Sequence, residues 1–103
     1  MSSVIYRGRP TQVDAKDPDA TVSYGLDWTD YLDGRTMLTS EWLPDSGDIV
    51  VEASSMAAAP VTSVLLSGGT SGIRYKVTNR ITFAGANGNE TDDRTIIVPV
   101  REL

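Results

Sequence analysis

The stretch Ile73-Arg74-Tyr75-Lys76-Val77-Thr78-Asn79-Arg80-Ile81-Thr82-Phe83 decides the architecture. Ile73, Tyr75, Val77, Asn79, Ile81 and Phe83 fall on one side, a period of two that marks a half-buried strand. Asn79 breaks the apolar row. Pointing inward it needs hydrogen-bond partners, and it reads as a buried polar residue that fixes strand register. Behind it, Ala84-Gly85-Ala86-Asn87-Gly88-Asn89 contains Asn-Gly, a strong hairpin signal. The chain returns as a strand over Arg94–Arg101, with Ile96, Val98 and Val100 on one face and Thr95, Ile97 and Pro99 on the other. Pro99 cannot donate to a ladder, so this strand is expected at a sheet edge near its end.

Four more strands precede this hairpin. Val22, Tyr24, Leu26 and Trp28 alternate with Thr21, Ser23, Gly25 and Asp27. Residues 36–43 place Leu38, Ser40 and Trp42 on one face, and 49–54 and 61–67 follow. Thr29 to Gly34 reads as a loop with one turn of 3₁₀ helix, Pro44 to Asp48 as a turn, and Gly68 to Gly72 as a turn whose glycines supply positive φ. Tyr75 lies two residues before the core position Val77, which matches the tyrosine corner of immunoglobulin-like domains, with Trp42 as the core tryptophan. The expected fold is all-β: an immunoglobulin-like antiparallel β-sandwich of about six to seven strands with an extended N-terminal arm. A small closed barrel is the rival. The arm is placed at 1–18, because Asp14-Ala15-Lys16-Asp17-Pro18-Asp19 is turn and linker chemistry, and the sandwich at 19–103.

Composition removes most chemistry. The 103 residues have no His and no Cys, which excludes Ser-His-Asp and Cys-His nucleophile systems and any disulfide, and takes away the usual zinc, haem and iron–sulfur ligands. Nine bases against fourteen acids give a net charge of −5, which argues against nucleic acid and anionic membrane as partners. The apolar run Ile96-Ile97-Val98-Pro99-Val100 is far short of a membrane span, and MSSVIYRGRP lacks the apolar core of a signal peptide, so a cytoplasmically synthesised protein is expected. No catalytic residue, cofactor or metal site is expected.

Several clusters nonetheless carry candidate chemistry. Asp45, Asp48, Asp92 and Asp93 could ligate Ca²⁺ if the loops met, but no Ca-loop motif is present and they read as solvated loop acids. Asp27-Trp28-Thr29-Asp30-Tyr31-Leu32 could form a sugar-stacking platform; the competing reading has Trp28 and Leu32 plugging the sandwich while Asp30 caps a short turn. Ser67 to Gly72 lacks the Lys of a phosphate loop. The arm is the candidate partner-binding element, with Val4, Ile5 and Tyr6 as anchors flanked by Arg7 and Arg9.

Two stretches carry a resemblance. Asp17-Pro18-Asp19-Ala20 with Tyr24-Gly25-Leu26-Asp27-Trp28-Thr29-Asp30-Tyr31-Leu32, and Leu65-Leu66-Ser67-Gly68-Gly69-Thr70-Ser71-Gly72 running on to Thr82, together with Asp93 to Arg101, resemble the small fibre–tail adaptor proteins of tailed bacteriophages and prophages. The resemblance spans about Asp17 to Glu102 and implies an immunoglobulin-like virion structural protein without catalytic residues. It also implies an adaptor joining tail fibre or spike components to the neck or head–tail connector. Several copies in a symmetric assembly, contacting other virion proteins, follow as an expectation. The alternatives are a head decoration or completion protein, and a small carbohydrate-binding module. Deleting residues 1–16 is expected to leave the fold intact.

Overall fold

A computed structural model describes residues 11–103 and the backbone of Ser2–Ile5. Eight strands and one helical turn are laid down in the order β1 (Ser2–Ile5), β2 (Thr11–Gln12), β3 (Val22–Asp27), α1 (Thr29–Leu32), β4 (Met37–Pro44), β5 (Ile49–Ser55), β6 (Val61–Gly68), β7 (Arg74–Gly85) and β8 (Gly88–Pro99). They form two packed sheets, β1-β3-β6-β5 and β2-β8-β7-β4. This is a β-sandwich, and its order reproduces the two-sheet arrangement of immunoglobulin domains with β2 added beside the last strand. The six strands from β3 to β8 are those read from the sequence. The N-terminal stretch adds two short ones, and both pair parallel to their neighbours: β1 on β3 and β2 on β8. A first strand parallel to the second departs from the immunoglobulin pattern.

The core lies between the sheets. Tyr24 and Leu26 from β3, Val64 and Leu66 from β6, Tyr75, Val77, Ile81 and Phe83 from β7, and Ile96 and Val98 from β8 are all essentially inaccessible. The β7 alternation is therefore real from Tyr75 to Phe83. Ile73 is the correction: it precedes the strand and is 47 % exposed. The β7–β8 hairpin is also tighter than expected. Gly85 pairs with Gly88 and only Ala86 and Asn87 form the turn, so β8 begins at Gly88, six residues before the expected Arg94. Gly88 at φ +123 supplies the positive φ that lets so short a turn follow the strand twist.

Strand β4 corrects a second expectation. Leu38 is 41 % exposed, because the β4–β7 register slips between Met37 and Thr39. The slip is a bulge that opposes two β4 residues to one on β7. It turns Leu38 outward while Met37 and Trp42 stay buried and Ser40 half-buried. Trp42 is buried, but the tryptophan at the centre of the polar core is Trp28, at 1 % exposure. The turn after it is α-helical rather than 3₁₀, and Asp27, not Asp30, holds its start: the Asp27 carboxylate accepts from the Thr29 amide and hydroxyl. Asp33 at φ 48 closes the turn by donating its amide to the Thr29 carbonyl.

Residues 11–18, assigned from the sequence to the arm, pack on the sandwich. Val13 donates its amide to Ile97 O, Lys16 donates its amide to Pro99 O, and Arg101 returns a bond to Lys16 O. Strand β8 is thus flanked on its outer side by β2 and the Lys16–Val100 bridge near its end, and the Pro99 carbonyl is used there although its nitrogen donates nothing.

Candidate docking interface

Three polar nodes set the shape of the molecule and its edges. The first is Asn79, fully buried on β7. Its Oδ1 accepts from Trp28 Nε1 at 2.9 Å and from Thr62 Oγ1 at 2.7 Å. Its Nδ2 donates to Ser40 Oγ and to the Glu41 carbonyl, each at 2.9 Å. One amide therefore uses its full hydrogen-bonding capacity and ties β4, β6, β7 and the start of α1 together. A one-residue slip of β7 within its sheet would turn Asn79 to the other face and break all four bonds, which is how a buried polar residue specifies register.

The second node is the β6–β7 turn. Tyr75 Oη accepts from the Thr70 amide at 2.7 Å and lies 3.3 Å from Asp48 Oδ2. A hydroxyl bonded to backbone five residues upstream is the tyrosine-corner contact expected from the sequence. Gly68 and Gly69, at φ +78 and +97, bring the turn close to the β4–β5 connection, and Gly69 donates to Asp48 O at 2.7 Å. The third node, Lys16, has no signal in the sequence: it reads as a lysine in a polar turn and is in fact completely buried. Its Nζ donates to Gly68 O at 2.7 Å and to Asp17 O at 2.8 Å. Burial pushes the Lys16 ammonium below the usual lysine value, against the pull of Asp17 and Asp19. Asp17 is itself held low by the backbone amides of Asp19 and Leu103. Lys16 and Asp17 thus fasten the N-terminal stretch, the β6–β7 turn and the C-terminus at one place.

The aromatic and acidic cluster does not form a sugar platform. Trp28 is in the core, and its ring packs edge-on against Tyr31 at 5.6 Å between centroids. Arg94 lies 4.4 Å from the Tyr31 centroid and 4.9 Å from that of Trp28; Arg35 lies over Tyr31 and Phe83. Tyr31 is pushed up by its hydrogen bond to Asp92. The rings that a sugar would stack on are covered by the molecule's own guanidinium groups. Asp93 is taken by Arg80 in a two-pronged pair at 2.8 and 3.1 Å, which holds its carboxyl below the usual range. Asp45 and Asp48 lie in the β4–β5 turn, beside Lys76 and Gly69 and well along the sheet from Asp92 and Asp93. The structure does not bring these four acids together. A hollow of about 390 Å³ opens beside α1, lined by Leu32, Arg35, Met37 and Pro60 among others, and Arg35 is its one ionisable lining residue among those described.

Of the residues assigned to partner binding, Val4 and Ile5 lie on β1, in register with Leu26 and Asp27. Tyr6, Arg7 and Arg9 lie outside the described residues. The one edge read from the sequence, the end of the last strand at Pro99, is covered by β2 and the Lys16–Val100 bridge. Among the described residues, β1, β5 and β4 are open on their outer sides, and β8 is open from Gly88 to Thr95, because β2 covers only Ile96 and Ile97.

The chain is a β-sandwich whose open strand edges offer main-chain surface to neighbours. Comparison with known families places it. Residues 16–99 match the model of the family described as Podophage GP4 fiber-tail adaptor protein gp77, and the chain belongs to that family. It is a structural adaptor of the phage tail, a virion component rather than an enzyme, and contacts with tail fibre and tail proteins are its business. That sets aside the head-decoration reading, as the buried Trp28 sets aside the carbohydrate module. No curated protein and no solved structure matches the chain.

Proposed function

We propose that the chain joins tail fibre or spike components to the neck or head–tail connector, in several copies around the tail axis. Its N-terminal residues Val4, Ile5, Tyr6, Arg7 and Arg9 dock on a neighbouring chain. The observation that carries this reading is β1, where Ser2–Ile5 binds a sheet edge in extended form through main-chain pairing. A segment that adds as a strand to one sheet edge has the chemistry to add to another. The division of charge supports the same reading. All fourteen acids and seven of the nine bases lie from residue 11 onward, a net −7, whereas Arg7 and Arg9 make the first ten residues basic. Opposite charge on the segment and on the body favours docking between copies or onto similar acidic sandwiches.

The test is a cryo-EM map of the intact particle combined with cross-linking. The expected result is density for the sandwich between connector and fibre, with residues 2–9 laid against a neighbouring chain. Density at the tail with those residues on their own β3 would overturn the arm's role while leaving the tail location intact.

A further inference from the structure

We propose that the open edge of β8, Gly88–Thr95, receives the N-terminal segment Val4–Arg9 of a second copy of this chain as an added strand. The inference rests on the docking reading above and names the acceptor.

The edge is long and regular. β7 and β8 pair without a break from Gly85–Gly88 to Arg74–Pro99. Of the other open edges of the described residues, β4 and β5 are each interrupted by a bulge, at Met37/Thr39 and Val51/Ala53, and β1 is only four residues long. Bulges blunt an edge against strand addition, and β8 over Gly88–Thr95 has none and no Pro. The same strand already accepts a parallel neighbour further along, where Thr11 pairs with Ile96 and Gln12 with Ile97. The proposed site continues that pairing outward along one strand.

Charge selects the occupant. Glu90 and Asp92 stand two apart on the edge, so their side chains leave the same face of β8. Asp92 is engaged by Arg94 at 3.2 Å and by Tyr31, while Glu90 has no ion-pair partner among the described residues and is the acid the proposal rests on. Arg7 and Arg9 are likewise two apart and share a face when extended. Spacing of i and i+2 on both sides matches in either strand orientation, and opposite charges facing each other across a strand pair stabilise it. Leaving β3 costs at most the four pairings of Ser2–Ile5, two of them within the segment, and gains a ladder on β8, so main-chain bonds do not oppose the exchange and charge gives it direction. The contact joins different surfaces on the two copies. Such head-to-tail contacts close into rings when the rotation permits, the geometry an adaptor around a tail axis needs.

The absence of native cysteine makes the test clean. The full chain carrying R9C and E90C is oxidised, both purified at high concentration and in assembled particles, and the linked peptides are identified by mass. The expected result is a disulfide between position 9 of one copy and position 90 of the next, giving dimers and a ladder at roughly tenfold or more above an R9C/S54C control on the β5 edge. Adding R7E should reduce the yield several-fold. A disulfide within one chain would mean that the segment occupies its own edge, and would overturn the proposal. So would equal yields from the two variants. The R7E/R9E chain separates the two levels. If it fails to enter particles although no 9–90 link ever forms, the segment docks elsewhere: the acceptor is wrong and the docking reading stands. If the link forms but R7E/R9E enters particles normally, the copy-to-copy contact is confirmed and the chain's place in the particle is set by another surface.

Discussion

Asn79 shows how much one side chain decides. Truncating it to Ala removes four hydrogen bonds and leaves Trp28 Nε1 and Thr62 Oγ1 as buried groups without that partner. Asn79→Ala should cost about 3 kcal/mol or more, read as a fall in the urea midpoint at unchanged slope, because an orphaned buried donor costs its whole desolvation. Tyr75→Phe should cost about 1–3 kcal/mol by stranding the Thr70 amide, in the same measurement. Tyr24 gives a pH signature. Its hydroxyl donates to Asp14 O at 2.9 Å, and burial, with Asp14 a smaller cause, pushes its pKa up to about 12 from 10.0. Between those values the folded chain binds the proton more than the unfolded chain does, so stability falls as pH rises. The contribution is complete below pH 10 and disappears as pH climbs to about 12, a loss of roughly 2–3 kcal/mol. Tyr24→Phe should flatten that alkaline decline, measured as unfolding free energy from pH 9 to 12; an equally steep decline in the variant would place its origin elsewhere.

Among the elements, the β6–β7 turn separates backbone strain from packing. Gly69 sits at φ +97, and a Cβ there would meet Val100 Cγ2 at 2.8 Å and Ile49 Cδ1 at 3.2 Å. Gly72 has a similar φ of +91 but opens onto free space. Gly72→Ala should therefore cost only the conformational penalty, about 1–2 kcal/mol, whereas Gly69→Ala adds overpacking of about 1–3 kcal/mol more. A thermal melt of both variants measures the difference directly. The same elements show what a sequence carries and what it withholds. The period of two over Tyr75–Phe83 and the positive-φ turns are local, and local chemistry writes them plainly. Asn79 was legible as buried because a polar residue interrupted an apolar row. Leu38 was misplaced because a bulge is set by the partner strand and leaves no mark of its own in the sequence; Ser40 and Trp42, beyond it, keep the expected face. Trp42 and Trp28 are both buried in the core, as the sequence implies. Both alternate correctly, and only the position of Asn79 across the sandwich decides which indole finds an acceptor: Trp42 Nε1 is buried without one. Lys16 was invisible, since its burial depends on a carbonyl fifty-two residues away.

At the scale of the whole molecule, the boundary between body and arm lies nearer the N-terminus than turn chemistry suggests. Val13 is 6 % exposed and Lys16 is fully buried, so the stretch from Thr11 to Asp17 is the strap that closes the sandwich beside β8. Deleting residues 1–16 removes a buried valine, worth about 1.5–3 kcal/mol of burial, and leaves the Tyr24 hydroxyl without its acceptor, about 1–3 kcal/mol more. The Val13, Lys16 and Arg101 backbone bonds and the Lys16 bond to Gly68 go with them. The 17–103 chain should therefore melt more than about ten degrees below the full chain, and not keep its fold unimpaired as the linker-like sequence implies. Deleting residues 2–9 spares every one of those contacts. Among the described residues it removes only the four-residue β1 pairing at the margin of a sheet, and its melting temperature should stay within a few degrees of the full chain. If that shorter deletion also loses its place in the particle, folding and docking are carried by adjacent but separate segments: Thr11–Asp17 for the fold, Val4–Arg9 for the neighbour. A large drop in melting temperature on deleting 2–9 would instead make β1 part of the body, and the docking segment would have to be sought on the open edges.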